Sequence, residues 1–202
     1  MKRFLTALII IPAVLLSVQG FSCAAIFSDN FNSENGGVPD ALNYNSFANW
    51  TVSNGTVDLI GKGGTWDFYP GNGLYVDLDG STGQAGIFTS KMTFGPGTYS
   101  LQFDLGGSQR GGTETVDVSI GNWNYTFSNI PSDFPLTTET FLVNTTGGQL
   151  TFYDHSWDNI GAILDNVQVD DPPSTVPEPY SMILYGLGLV GFATYRWKFM
   201  KG

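Results

Sequence analysis

The most restrictive feature of this sequence is a series of short alternating segments between residues 26 and 169. Each segment is four to eight residues long, is rich in Val, Thr, Phe and Tyr, and is bounded by Gly, Asn, Asp or Pro. This pattern is typical of β-strands joined by turns. No stretch of the region keeps the period of an amphipathic helix. The region therefore predicts an all-β domain.

Eleven segments fit this description, and eleven strands at such spacing predict a two-sheet antiparallel β-sandwich with a jelly-roll-like arrangement. The alternation also predicts the core-facing side chains, which are Tyr99, Leu101, Phe103 and Leu105 on one strand and Val116, Val118 and Ile120 on the next. The predicted strands are 26–31, 50–53, 56–60, 74–77, 86–91, 98–105, 114–120, 123–128, 139–143, 149–153 and 162–169.

One connection carries a specific turn signal. Asn54 and Gly55 stand between two alternating segments, and both residue types tolerate positive φ. A two-residue hairpin turn requires positive φ at these positions. We therefore expect the strands on either side of Asn54 and Gly55 to pair as a hairpin.

The body of the chain is strongly acidic. The sequence has 18 Asp and Glu against 8 Lys and Arg, and its formal net charge is −10. All 18 acidic residues lie between Asp29 and Glu178, where only Lys62, Lys91 and Arg110 oppose them. Such a surface repels phosphate backbones, so nucleic acid is excluded as a partner. Divalent cations and neutral polar ligands suit it better.

The single Cys and the single His limit the available chemistry. Cys23 has no internal disulfide partner and no second Cys with which to bind zinc. His155 lies between the carboxylates of Asp154 and Asp158, an arrangement that suits a general base. The alternative is a loop cluster that joins two strands, because adjacent residues of an extended chain point to opposite faces.

The N-terminus has the three parts of a secretory signal peptide. Lys2 and Arg3 precede an apolar stretch over residues 4–18, and small residues follow as far as Ala25. We therefore assign residues 1–25 to a signal peptide, which would form a helix, and we expect export across the cytoplasmic membrane of a bacterium. A lipoprotein signal that modifies Cys23 is the alternative, and it lacks the Leu that such a motif carries three residues earlier.

The C-terminus also has an apolar segment next to basic residues, with the basic residues after the segment. Residues 170–179 form a polar, Pro-rich linker, and residues 180–195 carry no charge. The basic tail that follows, with Arg196, Lys198 and Lys201, is typical of the cytoplasmic end of a membrane span. We therefore predict a transmembrane helix and basic tail over residues 180–202, with the body outside the cell. A buried core helix is the alternative.

Val176, Pro177, Glu178 and Pro179, followed by a short Gly- and Leu-rich segment and a basic tail, closely resemble the PEP-CTERM sorting signal of exported bacterial proteins. The resemblance implies that these four residues are recognised by an exosortase, a membrane-embedded protease or transpeptidase. It further implies a single-pass membrane intermediate, followed by transfer of the body to the cell envelope or the extracellular matrix. The tail has fewer Arg residues than is common in that family.

The first and last strands of the body, Ile26–Phe31 and Ile163–Val169, resemble those of galactose-binding-like and carbohydrate-binding-module sandwiches. The resemblance implies that these strands lie together and that a structural Ca²⁺ is held by oxygen ligands from Asp29, Glu34 and Asp165. The alternative is that these three are solvated carboxylates of turns and strand edges.

Aromatic residues are the candidate ligand contacts. Sugars bind by stacking their C–H faces on aromatic rings, and the segment 66–73 presents such rings between Gly and Pro, where they are hard to bury. Packing within the core is the alternative for any one of them. The predicted glycan-binding residues are Trp66, Tyr69, Trp123, Tyr125 and Trp157.

The sequence therefore predicts an exported, non-enzymatic β-sandwich protein that binds a polysaccharide or envelope glycan or serves as a structural component. A secreted carbohydrate-active hydrolase is the alternative, because the two carboxylates that glycoside hydrolysis requires are recognised by their separation in space and not by sequence. A purely structural envelope protein without a ligand is the third possibility.

Overall fold

The computed structural model describes residues 25–172 of the chain. The predicted signal peptide and the predicted C-terminal transmembrane helix lie outside these residues. Within the described part of the chain, no helix is long and apolar enough to cross a membrane. A short 3-10 turn, Glu34–Gly37, stands between the first two strands.

Eleven β-strands form the body, at nearly the positions that the alternating pattern predicts. They are β1 Phe27–Asp29, β2 Trp50–Ser53, β3 Asp58–Gly61, β4 Leu74–Asp77, β5 Ile87–Phe94, β6 Gly97–Gly106, β7 Thr113–Ile120, β8 Trp123–Pro131, β9 Thr137–Thr145, β10 Gly148–Asp154 and β11 Ile163–Asp170.

The strands are arranged in two antiparallel sheets. Sheet A has the order β3-β4-β11-β6-β9, and β1 pairs with the second half of β11. Sheet B has the order β2-β5-β10-β7-β8. The predicted antiparallel β-sandwich is therefore confirmed, and so is the predicted proximity of the first and last strands.

The core lies between the two sheets and is dominated by aromatic rings. Trp50 stacks on Phe88 with ring centroids 4.5 Å apart, and Phe152 and Phe103 meet edge to face at 5.1 Å. Six of the seven residues predicted to face inward from β6 and β7 are fully buried, whereas Tyr99 is only partly buried against the core. The six are Leu101, Phe103, Leu105, Val116, Val118 and Ile120.

The expectation of a hairpin at Asn54 and Gly55 is wrong. The strand before them, β2, pairs with β5 in sheet B, whereas the strand after them, β3, pairs with β4 in sheet A. Asn54 does adopt positive φ, at 53°. The local signal thus specifies the bend correctly, but the partners of β2 and β3 are decided by which sheet buries their apolar faces.

Candidate functional site

A single loop covers part of the outer face of sheet A. The loop spans residues 62–73 between β3 and β4, and Phe68 and Tyr69 in it pack on the outward-facing ring of Tyr75 and its neighbours. The Tyr75 hydroxyl accepts a hydrogen bond from the Tyr69 N–H and donates one to Asp67, each at 3.0 Å. The loop is therefore fixed to the sheet at its middle.

An ion pair stands beside this loop. Arg110, between β6 and β7, donates to the carboxylate of Asp77 at the end of β4 and, at 2.9 Å, to the carbonyl oxygen of Asn159. Its guanidinium also lies 5.2 Å from the centroid of the Phe68 ring. Burial raises the pKa of Asp77 well above its usual range, and the charge of Arg110 opposes that rise.

The loop and the ion pair border a small pocket of about 60 Å³. Trp66 forms part of its wall and is 41% exposed, so one part of the indole is available to a ligand. Ligand pockets for whole small molecules are larger, about 300–1,000 Å³. This pocket is therefore large enough for one chemical group and not for a whole small molecule. The lining residues are Leu42, Asp58, Ile60, Trp66, Phe68, Asp77, Ser81, Arg110 and Asn159.

Tyr69 comes from the same loop, but its hydroxyl is engaged with the protein. The hydroxyl oxygen lies 2.7 Å from the carbonyl oxygen of Gly107 and 2.8 Å from that of Phe134, and it accepts a hydrogen bond from Gln109. Burial raises the pKa of this phenol. Tyr69 thus fastens the loop to the turn after β6, and its contact with a ligand stays a prediction.

Trp157 is near the same pocket. It lies in the loop between β10 and β11, two residues before Asn159, which lines the pocket. Its side chain is 65% exposed. Trp66 and Trp157 thus belong to the same end of the sandwich.

Trp123 and Tyr125 form a separate aromatic surface. Both lie on β8, the edge strand of sheet B, and their rings are 5.5 and 4.8 Å from Phe141 on β9, the edge strand of sheet A. Tyr125 is 44% exposed. Trp123 is the first residue of β8. The last residue of that strand, Pro131, lies close to Gly107, to which Tyr69 of the loop over residues 62–73 is bonded. The five predicted ligand contacts are therefore divided between two surfaces.

The predicted calcium ligands are engaged by donors from the protein. Asp29 accepts from the Phe31 N–H at 2.9 Å, and Glu34 accepts from the Ala48 N–H at 2.8 Å. Asp165 is 1% exposed, and burial together with the charges of Asp104 and Asp29 raises its pKa to about 7. Among residues 25–172, no group of three or more His, Cys, Asp or Glu is placed to hold a metal ion. A calcium ion on these three residues stays a prediction.

His155 makes a different contact from the one its neighbours suggest. Its Nε2 lies 2.7 Å from Asp117 Oδ2 on the adjacent strand β7, and both side chains are exposed at the surface. Asp154, next to it in the chain, points inward. The alternation along β10 thus separates the imidazole from Asp154.

The sequence reasoning missed a group of buried carboxylates at the same end of the sandwich as the pocket. Glu114 and Asp154 are in phase with the core-facing residues of β7 and β10, and Asp79 follows β4. Burial is the main cause that raises the pKa of Glu114 and of Asp154 to about 7 in each case. The burial of both could have been predicted from the alternation, because residues two apart on a strand face the same side of the sheet. Glu114 is two residues before Val116, and Asp154 is two residues after Phe152.

Outside the described residues, residues 175–196 match the model of the PEP-CTERM protein-sorting motif. The chain carries a PEP-CTERM sorting signal. The match includes Val176, Pro177, Glu178 and Pro179 and confirms the resemblance on which the sorting prediction rests.

Curated and solved proteins similar to this chain cover about two thirds to three quarters of it. It is 28% identical over 164 residues to halomucin of Haloquadratum walsbyi, which covers 77% of the chain but only 2% of halomucin. The tandem CBM22 domains of Paenibacillus barcinonensis Xyn10C are 15% identical with a TM-score of 0.41, over 77% of this chain and 48% of that one. CBM35 from Paenibacillus barcinonensis is 18% identical with a TM-score of 0.37, over 64% and 98%. This protein thus spans less than half of the first of these structures and a small fraction of halomucin.

Proposed function

We propose that this PEP-CTERM protein is exported and binds a neutral polysaccharide, without catalysis, through the pocket beside Trp66. The observation that carries the proposal is the combination of a half-exposed indole with a small polar pocket on a loop that is fastened to the sheet. A fixed aromatic platform loses little conformational entropy when a sugar ring stacks on it.

The charge of the body selects among polysaccharides. Its acidic residues outnumber its basic ones by far, and the pocket itself contains the carboxylates of Asp58 and Asp77 with a single guanidinium. An anionic polysaccharide would be repelled by this field. A neutral glycan avoids the repulsion and offers hydroxyl groups to the uncharged polar side chains of the pocket, Ser81 and Asn159.

Binding is favoured over hydrolysis by the state of the two pocket carboxylates. Asp58 accepts hydrogen bonds from Ser81 and from the Asn43 N–H, the latter at 2.6 Å, and Asp77 is paired with Arg110. A general acid or a nucleophile needs a carboxyl oxygen directed at the substrate. In this pocket the protein's own donors hold both carboxylates.

Sorting is the second part of the proposal. The signal peptide would bring the chain to the cytoplasmic membrane, and the apolar segment over residues 180–195 would hold it there with the body outside. An exosortase would then recognise Val176 to Pro179 and release the body to the cell envelope or matrix. The PEP-CTERM match over residues 175–196 supports this route.

The glycan proposal is tested by affinity electrophoresis and titration calorimetry with the full-length chain, in a detergent without a sugar headgroup. The probes are xylan, galactomannan, mixed-linkage β-glucan and dextran. We expect one of them to bind and Trp66→Ala to weaken that binding by about tenfold or more, a loss of about 1.4 kcal/mol. Tyr125→Ala, a matched control on the other aromatic surface, should bind like the wild type.

Two results would overturn the glycan proposal. If no probe binds to the wild-type chain, the body is a structural component without a glycan ligand. If Tyr125→Ala abolishes binding while Trp66→Ala does not, the site lies at the edge between β8 and β9. Release of reducing ends from the bound probe would contradict the non-catalytic part and support the hydrolase.

The sorting proposal is tested in a bacterium that encodes an exosortase. We expect Pro177→Ala/Pro179→Ala to remain in the membrane fraction as an uncut chain, while the wild-type body is released. The double variant Pro172→Ala/Pro173→Ala changes the same number of prolines in the linker and should be processed normally. Equal release of all three proteins would rule out recognition through the motif.

A further inference from the structure

One end of the sandwich interior is acidic where it should be apolar. Glu114 stands at the start of β7 on its core-facing side, and Asp154 ends β10 on the same side. Ala162 connects the turn after β4, which holds Asp79, to Asp154, because its carbonyl accepts from the Leu78 N–H at 3.0 Å and its N–H donates to Asp154 at 2.8 Å. Asp79 and Asp154 are fully buried and Glu114 is 6% exposed. Buried carboxylates normally have a full set of hydrogen-bond or ionic partners.

Asp79 and Asp154 each have one satisfied oxygen and one orphaned oxygen. The loop between β10 and β11 satisfies the first: Asp79 Oδ2 accepts from the Asn159 N–H at 2.9 Å, and Asp154 Oδ2 accepts from the Ala162 N–H at 2.8 Å. Oδ1 of each is buried and has no hydrogen-bond donor among the described residues. The same loop thus orients two carboxylates and leaves one oxygen of each free for another partner.

These carboxylates also lack a positive charge of their own. The negative charges of Asp79 and Asp154 raise the pKa of Glu114. The charge of Asp79 also raises the pKa of Asp154. Positive charge acts on the group from Arg110, which lowers the pKa of Glu114, and from His155, which lowers that of Asp154. Arg110 is itself engaged with Asp77 and the carbonyl of Asn159, and His155 is engaged with Asp117. Several like charges in a region of low dielectric are costly without a counter-ion.

We propose that Asp79 and Asp154, with Glu114 beside them, form a buried site for a divalent cation, and that Ca²⁺ is the ion it selects. Calcium accepts six to eight oxygen ligands at flexible angles, including backbone carbonyls and water. Two carboxylates complemented by such ligands suit it, whereas Mg²⁺ demands strict octahedral geometry. Among residues 25–172, no group of three or more acidic, His or Cys side chains is placed to hold a metal ion, so backbone carbonyls and water would have to supply the remaining ligands.

This site differs from the calcium site that the sequence predicts. Both oxygens of Asp29 and Oε1 of Glu34 accept hydrogen bonds, whereas Asp79 and Asp154 each keep an orphaned oxygen. Substitutions at the two sites should therefore have opposite effects on the response to calcium. The cation site is also independent of whether the pocket beside Trp66 binds a glycan.

The test uses the full-length chain after treatment with EDTA, with thermal unfolding and isothermal titration of CaCl₂ as the two measurements. We expect saturable binding of one Ca²⁺ and a rise of the melting temperature by about 5 °C or more when calcium is far above its dissociation constant. Asp79→Asn and Asp154→Asn keep the size of the side chain and an accepting oxygen, and each should abolish the calcium response. Asp165→Asn is the matched control and should keep it.

The proposal is overturned by any of three results. The first is no binding and no thermal shift of the wild-type chain at up to about 10 mM CaCl₂, which is above the range of extracellular calcium modules. The second is a calcium response that survives in both Asp79→Asn and Asp154→Asn. The third is a response that is lost in Asp165→Asn and kept in the other two, which would place the ion at the site near β1. Calorimetry on the wild type decides the first point even if a variant fails to fold.

Discussion

Trp50 Nε1 donates a hydrogen bond to Asp29 Oδ2 at 2.9 Å and thereby joins the two sheets of the sandwich. Asp29 ends β1 in sheet A, and Trp50 begins β2 in sheet B. The same carboxylate accepts from the Phe31 N–H and from the Asn49 side chain. A single buried carboxylate thus fixes the first strand, the turn after it and the central indole of the core.

We expect Asp29→Ala to lower the free energy of unfolding by about 2–4 kcal/mol, because it leaves the buried indole N–H and a backbone N–H without acceptors. Urea unfolding followed by tryptophan fluorescence measures the change in the presence of EDTA. Asp133→Ala removes an exposed carboxylate and should change the free energy by less than about 0.5 kcal/mol. Equal stability of the two variants would show that the cross-sheet bond contributes nothing.

The Tyr69 hydroxyl gives a second prediction about stability. It bridges the carbonyl oxygens of Gly107 and Phe134 and accepts from Gln109, so it fastens the loop over sheet A. Tyr69→Phe keeps the ring and should cost about 1–2 kcal/mol, the loss of buried hydrogen bonds. Thermal unfolding measures it. Tyr125→Phe, whose ring is 44% exposed, serves as the control, and a larger effect there would contradict the anchoring role.

Most of the strand order along the chain could be predicted from the sequence, because alternation reports local geometry directly. Each of the eleven predicted segments overlaps an observed strand. Which strands pair with each other was harder to predict. Asn54 and Gly55 specify a bend, yet β2 and β3 enter different sheets because their apolar faces are buried against different neighbours. Strand partnership depends on contacts distant in sequence, and a turn motif is local.

The candidate site was predictable only in part, for a similar reason. The exposure of Trp66 could be predicted, because aromatic rings in a loop rich in Gly and Pro are hard to bury, although Phe68 and Tyr69 of the same loop pack on the sheet. Arg110 could not be found, since it reaches Asp77 from a loop 33 residues away. The burial of Asp154 could have been predicted, because Asp154 follows the buried Phe152 by two residues on the same strand. From the sequence alone, it was considered only as a partner of His155.

The buried carboxylate of Asp165 predicts a dependence of stability on pH. Burial and the neighbouring carboxylates raise its pKa to about 7 in the folded state, above the value of about 3.9 in the unfolded chain. The folded state therefore binds more protons between these two values, and the contribution of Asp165 to stability falls as the pH rises from about 4 to about 7. Above pH 7 the full penalty is present.

Asp165→Asn removes this penalty, because the amide is neutral at every pH and can accept from the Asn166 N–H as the carboxylate does. We expect the variant to be more stable than the wild type at pH 8 by at least about 1 kcal/mol, and equally stable near pH 4. Urea unfolding across this range in EDTA gives the difference, in which the shared contributions of Glu114 and Asp154 cancel. A difference that is constant with pH would contradict the assignment, and Asp133→Asn provides the baseline.

The ion pair of Arg110 with Asp77 gives the last prediction. Arg110→Gln leaves the 1% exposed carboxylate of Asp77 without its counter-charge, which costs about 3–5 kcal/mol for a buried pair. The cost should shrink as the pH is lowered, because the raised pKa of Asp77 lets the carboxyl take up a proton. The double variant Arg110→Gln/Asp77→Asn removes both charges and should recover most of the loss. Urea unfolding of the single and double variants at pH 8 and pH 5 measures the coupling, and strictly additive effects would show that the pair does not act as a unit.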